Sequence, residues 1–408
     1  MSFDVFWRIP MSGDRSSWRN HPKRRGDWSP PIAGSLTPGR RDGEPDGLSY
    51  VEHIVEVARA TEAAGFVGGL LPSFPMTDDP WIAAAAVARA TTTYRFMVAF
   101  QPGFLHPAHA ARMSASLQRL SGGRLLFNII SGGGGPAQRW WGDTTTHDDR
   151  YRRTAEFLDV FDGVWTGGPF DHDGEFYRVE GGGLRGALAG QERPEVYFSG
   201  SSPAAIDACG THADYFLSWL EHPDDLRTKF DIVREAAAAH GRTARCSVRA
   251  HVIARPTAEE AWEEVRLGWE QVDPQVVRAR IAAAGGDSVG AARQQAYQQG
   301  SLQSYEDLIV APNIWAGIGY LGDFPTVGLV GSYEQVAERL DELVQIGADS
   351  LILSGLPHLE EAYRVGEEVL PLFQGAQLRA GRDQRPVPPV VVEHIDSGLL
   401  AASRGSNP

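Results

Sequence analysis

The chain has 408 residues, 42% hydrophobic and 22% charged, enough to bury one large barrel core or two domains. Its net charge of −14 and pI near 5.3 exclude the basic face of a general nucleic-acid binder, although a few pocket arginines could still hold a small anion. The two cysteines, Cys209 and Cys246, have no metal-like spacing, no run of 18 apolar residues could span a membrane, and "MSFDVFWRIP" lacks signal-peptide features, so a soluble cytoplasmic protein is expected.

In chain order, short β-rich runs alternate with helical patterns. "FDVFWRI" (3–9) predicts a strand, and "SYVEHIVEVARATEAAG" (49–65) a helix with Val51, Ile54, Val55 and Ala58 on one face and Gly65 ending it. "FVGGLL" and "PWIAAAAVARATT" form the next pair, followed by "RFMVAF" with "HAARMSASLQRLSGG" and "RLLFNII" with "RYRRTAEFLDVFDGVW". "EVYFSG" then precedes "PAAIDACGTHA", "DYFLSWL" precedes "DLRTKFDIVREAAAAHG", and "CSVRAHVIAR" leads into a long helical region. "DSLILSG" with "HLEEAYRVGEEVL" closes the series. Eight strand-then-helix units, with no dinucleotide-binding glycine fingerprint, favour an α/β fold closed as a (β/α)8 TIM barrel over a doubly wound sheet.

Eight units need roughly 250 residues, so about 150 belong to insertions and tails. Residues 11–48, rich in Pro, Gly and charge, follow the first strand and therefore lie at the carboxyl-end face, as a lid or a disordered loop. "FDHDGEFYRVEG", within 168–194, predicts a hairpin turning at Asp173–Gly174. Residues 273–331 form a second insertion region, and 374–408 are expected to form an extended C-terminal arm beyond a single barrel of residues 1–373.

Several stretches could carry chemistry. In "FNIISGGGGP" (127–136) a strand runs into glycines that permit close backbone approach to a flat ligand, with Asn128 and Ser131 the polar groups nearest the strand end. In "HDDRYRR" (147–153), His147 and Tyr151 share a face at a helix start and could donate to an anion, or could simply belong to a surface cap. "SGSSPAAI" (199–206) offers Ser202 as N-cap and Pro203 as first helical residue. That is an ordinary capped helix or, with its free N–H groups, a phosphate site. Trp219 in "FLSW" stands at a strand end, suited to stacking. Arg249 and His251 share one side of "VRAHVIAR", facing either the lumen or the helices. An arginine there needs an internal carboxylate or an anionic ligand. His358 stands where the last strand becomes a helix, the end at which α/β proteins bind ligands, and could act there as acid, base or anion ligand. "HPAH" (106–109) has no nearby carboxylate, so no metal site is expected, and no nucleophile elbow occurs.

Taken in order, "FDVFWRIP", "LLPS…DDPW", "RLLFNIISG", "HDDRY", "YFSGSS", "LSW", "RAHVIAR", "DSVG", "APNIWAGIGYLG" and "LILSGLPHLEEAYRVGEEVLP" resemble the FMNH2-dependent alkanesulfonate monooxygenases of the bacterial-luciferase-like superfamily, over roughly residues 3 to 373. The resemblance implies a (β/α)8 barrel that takes reduced FMN from a separate NAD(P)H-dependent flavin reductase. It further implies O2 activation through a C4a-peroxyflavin and cleavage of a small-molecule alkanesulfonate to aldehyde and sulfite. It assigns His147, Tyr151, Ser201 and Ser202 to the flavin phosphate, Arg249, His251, His358 and Trp219 to the active site, and Arg293, in "DSVGAAR", to a loop that closes over substrate. A homo-oligomer, dimer or tetramer, is expected, without nucleic-acid or membrane partners. Two positions depart from the family pattern: Leu356 replaces a tyrosine, which removes a hydroxyl and makes the pocket more apolar, and Thr77 replaces a cysteine. The same barrel could instead oxygenate a sulfone, an alkane or a natural-product intermediate, transfer hydride with a deazaflavin, or store a flavin.

Overall fold

Eight short strands, each from one of the apolar runs above, pair side by side and close on themselves. The computed structural model describes residues 3–11, 14–15, 24–25, 50–74, 77–275, 277–279, 286–298, 302–321 and 326–383. The strands are β1 (Asp4–Arg8), β2 (Gly68–Leu71), β3 (Arg95–Phe100), β4 (Leu125–Ile129), β5 (Val196–Phe198), β6 (Tyr215–Trp219), β7 (Arg245–Arg255) and β8 (Ser350–Ser354). All neighbours in the ring are parallel, and β8 closes it by pairing with both β7 and β1, with Phe6 opposite Ile352. This is the expected (β/α)8 barrel. It closes because the strands are buried on both faces and an open edge would leave buried ladder groups unpaired.

The period of two divides the core. Phe6, Leu70, Met97, Leu126, Tyr197 and Ile352 belong to an inner cluster that fills the lumen, whereas the intervening Val5, Trp7, Val98 and Leu353 pack outward under the helices. Below that plug, inward-facing charges pair across strands: Arg95 with Asp4 (3.3 Å) and Glu195 (2.7 Å), and Arg245 with Glu195 (2.7 Å). Tyr197 and Tyr215 stack at 4.3 Å above this network. The amino-terminal end is thus closed by satisfied ion pairs, and the next inward-facing polar residues fall at the carboxyl-end mouth.

The outer ring consists of α1 (Tyr50–Ala63), α2 (Pro80–Ala90), α3 (Pro107–Ser121), α4 (His147–Trp165), α5 (Pro203–His212), α6 (Pro223–Ala239), α7 (Ala258–Trp269), α8 (Val289–Ala296), α9 (Tyr333–Gln345) and α10 (His358–Arg364). Their starts follow from sequence: Asp79 accepts from Trp81 N–H, and Thr257–Glu260 and Ser332–Gln335 form capping boxes. The face of α1 is rotated from the expected one. Tyr50, His53, Ile54, Val57 and Ala58 are buried, while Val51 is 49% exposed. A polar partner below the helix, described next, draws His53 inward.

Three further features refine the sequence reading. The upper half of β7 leaves the ring and pairs in parallel with a strand at Gly328–Ser332, which is continued antiparallel by Ile314–Trp315. This strand, at the end of the 273–331 insertion, was not anticipated because "GLVGS" is short and glycine-rich. The hairpin is present (Phe170–Asp173 with Arg178–Gly182), but its turn is four residues long, held by Glu156 accepting from the N–H groups of Phe176 and Tyr177. The expected arm begins as a helix, Gly375–Asp383, with Arg379 3.7 Å from Asp349. The proposed lid over 11–48 lies largely outside the described residues. Within it, Asp14–Arg15 pairs antiparallel with Arg24–Arg25.

Candidate active site

The mouth carries two groups of side chains. The first is built from β1, β7 and β8. On β1 the inward residue after Phe6 is Arg8. On β7 the inward residues are Arg249, level with Ile352, and His251, level with Ser354. Arg249 is also level with Trp219 at the end of β6. His251 Nδ1 lies 3.0 Å from Ser354 Oγ, and Arg8 Nη1 lies 3.4 Å from Nε2 of His358, the first residue of α10. The structure therefore gathers Arg249, His251, His358 and Trp219 at one mouth, and it adds Arg8.

Asp14 holds His358 from behind. It is fully buried, both its carboxylate oxygens accept the His358 backbone N–H (2.9 and 3.1 Å), and His53 Nε2 lies 3.2 Å from Oδ2. The indole of Trp7 meets the His358 ring edge-on at 6.2 Å. A guanidinium only donates, so Arg8 makes Nε2 of His358 the acceptor and leaves the proton on Nδ1, which has no hydrogen-bond partner among the described residues.

Burial and neighbouring cations shift the titrating groups of this mouth. Burial and then repulsion from Arg8 pull the Arg249 guanidinium down to about 9. Its Nε has no hydrogen-bond partner, and no carboxylate among the described residues lies within ion-pair distance of it. Among the described residues, the internal salt bridge considered from sequence is thus not made. His358 is pushed down to about 3, by burial first and by Arg8 and His251 against the opposing pull of Asp14. His251 falls well below the ordinary imidazole range through burial, Arg249 and Arg8. Both rings are neutral near pH 7. A general-acid role for His358 therefore does not follow from the geometry, and its chemistry is that of a neutral imidazole.

The second group lies across the mouth on β4, β5, α4 and α5. Ser202 caps α5, its Oγ accepting from Ala205 N–H at 3.2 Å, with Pro203 first in the helix, as the sequence suggested. The Tyr151 phenol bonds to the Ser202 side chain and is kept protonated, burial raising it to about 12. Its ring packs 5.2 Å from His147, whose Nδ1 lies 2.7 Å from Asp148 Oδ1. Ser201 is partly exposed beside them. A Cβ on Gly200 would come 2.9 Å from Tyr151 Oη and 2.3 Å from Ala205 Cβ. The cradle needs glycine there. Ser131 Oγ lies 3.2 Å from Thr154 Oγ1, tying the glycine loop to α4, and Asn128 faces the lumen with its buried Oδ1 unpartnered.

Arg293 is placed elsewhere. It is half-exposed on α8, with Nη1 3.6 Å from Glu221 Oε2, just beyond β6, and Glu221 Oε1 is 2.6 Å from the buried Lys229 Nζ. Its segment nevertheless reaches the second group: Asp287 pairs with the buried Arg150 at 2.5 Å and donates its N–H to Gly133 O. Gln294, fully buried, donates to Leu220 O. Thr77 turns back onto Phe74, bonding its N–H and carbonyl, and the Phe74 ring lies 5.8 Å from the Arg8 guanidinium. Leu356 packs against the core.

Sequence reasoning missed Arg8, Asp14, His53 and Arg150. Arg8 was within reach: it has the same parity as Phe6 in "FDVFWRI". Asp14 meets His358 from more than 300 residues away in sequence, and His53 meets Asp14 across the 11–48 segment, and no local pattern reports either contact. Among the described residues no group of three or more His, Cys, Asp or Glu could hold a metal ion, and no helix is long and apolar enough to cross a membrane.

The two groups fit the ends of a flavin mononucleotide and its substrate: a glycine-lined cradle of hydroxyls at a helix N-terminus, an orphaned buried amide oxygen on the wall, and opposite it a cation with no carboxylate partner among the described residues. Comparison with solved structures finds the same fold in a long-chain alkane monooxygenase (TM-score 0.69, 18% identity, 92% of each chain covered). It is also found in a riboflavin lyase solved with modified FMN and riboflavin (0.68, 18%, 93% of this chain and 92% of that one). An EDTA monooxygenase from Chelativorans sp. BNC1 shares it too (0.65, 20%, 93% and 95%). The family model for luciferase-like monooxygenases matches residues 33–350, so the chain belongs to the luciferase-like monooxygenase family.

Proposed function

We propose that the protein is the oxygenase of a two-component, FMNH2-dependent system that desulfonates an alkanesulfonate. The observation that carries this reading is Arg249: a guanidinium on the inner wall of the mouth, with no carboxylate partner among the described residues, beside two neutral imidazoles. Such a cation is costly unless an anionic ligand completes it, and a guanidinium matches an oxyanion with paired donors. Ser201, Ser202, Tyr151 and His147 would hold the phosphate of FMN, and Asn128 and Ser131 would face its ring system. Bound in reduced form, after delivery by an NAD(P)H-dependent reductase, FMN supplies two electrons to O2.

The chain's own residues then position the substrate. Arg249 would fix the sulfonate, and Trp219 would cover the carbon chain. His251, anchored on Ser354 through Nδ1, would present its other ring nitrogen to accept the proton leaving the reacting carbon, while His358, its Nε2 accepting from Arg8 and its backbone N–H held by Asp14, would offer only a donor at Nδ1. One oxygen atom ends in the aldehyde and the other in water, while the C–S bond breaks and sulfite leaves with its electron pair. The α8 segment, carrying Arg293, would exclude water, which protects the oxidant from wasteful discharge.

The test is sulfite release from alkanesulfonates of graded chain length, with FMN, a flavin reductase, NAD(P)H and O2. Sulfite formed in step with substrate-dependent oxygen uptake is the expected result. Uptake without sulfite would move the substrate to a sulfone or alkane, a reading that the apolar Leu356 favours. No response to any substrate would contradict the oxygenase assignment.

A further inference from the structure

We infer that Asp14 and His53 are positioning residues for His358: together they fix the start of α10, so that the ring's Nδ1–H donor is held at the mouth. What that donor does in the reaction rests on the proposed function; the positioning does not.

The turn into α10 cannot support itself. Only residues 355–357 join β8 to the helix, and the N-cap position falls on Pro357, whose side chain has no polar atom to cap with. The first N–H groups of a helix have no partner inside it. The N–H of His358 is buried, and the Asp14 carboxylate takes it from 344 residues upstream, with both oxygens in reach (2.9 and 3.1 Å). A carboxylate only accepts, so His53 Nε2, 3.2 Å from Oδ2, is the donor that holds Asp14 in turn. Asp14, His53 and His358 are all buried, so a bond lost here is not simply returned to solvent. Three stretches far apart in sequence thus meet at one backbone amide.

The ring itself is gripped elsewhere. Arg8 Nη1 lies 3.4 Å from Nε2, and the Trp7 indole meets the ring edge-on at 6.2 Å. Nδ1 has no hydrogen-bond partner among the described residues. Where that nitrogen points is therefore set by where α10 begins, and Asp14 sets where α10 begins. A misplacement of about 1 Å can cost on the order of 100-fold in rate. The contact also differs from an ordinary tether. Asp14 bonds to the backbone of the residue whose side chain reaches the mouth, so its loss acts on His358 first. The ring of strands closes without it, and His251 has its own anchor in Ser354 at 3.0 Å.

The test reads position first and turnover second. Diethyl pyrocarbonate labels accessible neutral imidazoles, and peptide mass mapping of the full chain follows each histidine separately. Asp14→Ala is expected to speed labelling of His358 at least about tenfold and to leave His251 unchanged. Asp14→Asn keeps an oxygen for the His358 N–H, and its amide can donate to His53 once that ring moves its proton to Nδ1, so it is expected to label like wild type. His53→Phe keeps a ring and removes the donor; it is expected to fall between the two and serves if Asp14→Ala does not fold. In sulfite release, Asp14→Ala is expected to lower kcat about 10- to 100-fold with KM nearly unchanged, and to add less than about twofold to the loss in His358→Ala. Faster labelling of all histidines together, unchanged labelling of His358, or an equal loss of kcat in both backgrounds would make Asp14 a structural tether alone and overturn the inference, with the proposed function left standing. No sulfite from wild type would contradict the proposed function, and the labelling pattern would then decide the positioning by itself.

Discussion

A buried guanidinium with no carboxylate partner among the described residues sets the chemistry of the mouth, and its cost gives a pH signature. Arg249 is pulled down to about 9 by burial and Arg8, so it is cationic below that pH and loses its proton above it. Affinity for an anionic substrate should therefore fall as pH rises through about 9, and kcat/KM, which reports the free enzyme, should show an alkaline limb there. His251 and His358 make the opposite prediction. They are neutral across the working range, so neither should produce an acidic limb near pH 6.5. A kcat/KM profile that is flat to pH 10, or that has a limb near 6.5 abolished by His358→Asn, would contradict this account of the mouth.

At the scale of elements, two junctions do most of the positioning. The β5–α5 turn brings Ser201 and Ser202 to Tyr151 only because Gly200 lacks a side chain. Gly200→Ala forces a methyl into Ala205 and the Tyr151 phenol, an overpacking that costs about 1–3 kcal/mol. FMN affinity, measured by quenching of flavin fluorescence, should fall at least about tenfold. An unchanged dissociation constant would remove this turn from the flavin site. The β6–α6 junction buries Lys229 against Glu221 and Ser218 and gives Arg293 its partner. Lys229→Met strands a buried carboxylate and should destabilise the fold by about 3–5 kcal/mol in urea unfolding. Pairing it with Glu221→Leu should recover much of that loss, whereas strictly additive effects would mean the two side chains do not depend on each other.

At the scale of the whole molecule, the strands were legible because each is a local apolar run, and eight such runs alternating with helices leave few topologies. Parity along β7 was legible too, so Arg249 and His251 could be paired as neighbours, while the choice between lumen and helices needed the inner cluster of Phe6, Leu70 and Ile352. Ser202 and Pro203 announced themselves through capping chemistry, which is local. What sequence could not show was long-range. Asp14 reaching His358, Asp287 reaching Arg150 and Gly328–Ser332 pairing with β7 each join segments separated by tens to hundreds of residues. Val51 was misplaced for the same reason, because His53 turns inward to meet Asp14. The resulting molecule has a sealed, ion-paired floor, an apolar plug and a polar mouth with cradle and cation on opposite walls. The most direct test of that arrangement is a crystal structure with FMN and octanesulfonate bound together. The account predicts the phosphate against Ser201, Ser202 and Tyr151 and the sulfonate against Arg249. A phosphate bound away from the α5 N-terminus, or a sulfonate bound away from the inner wall of β7, would contradict it.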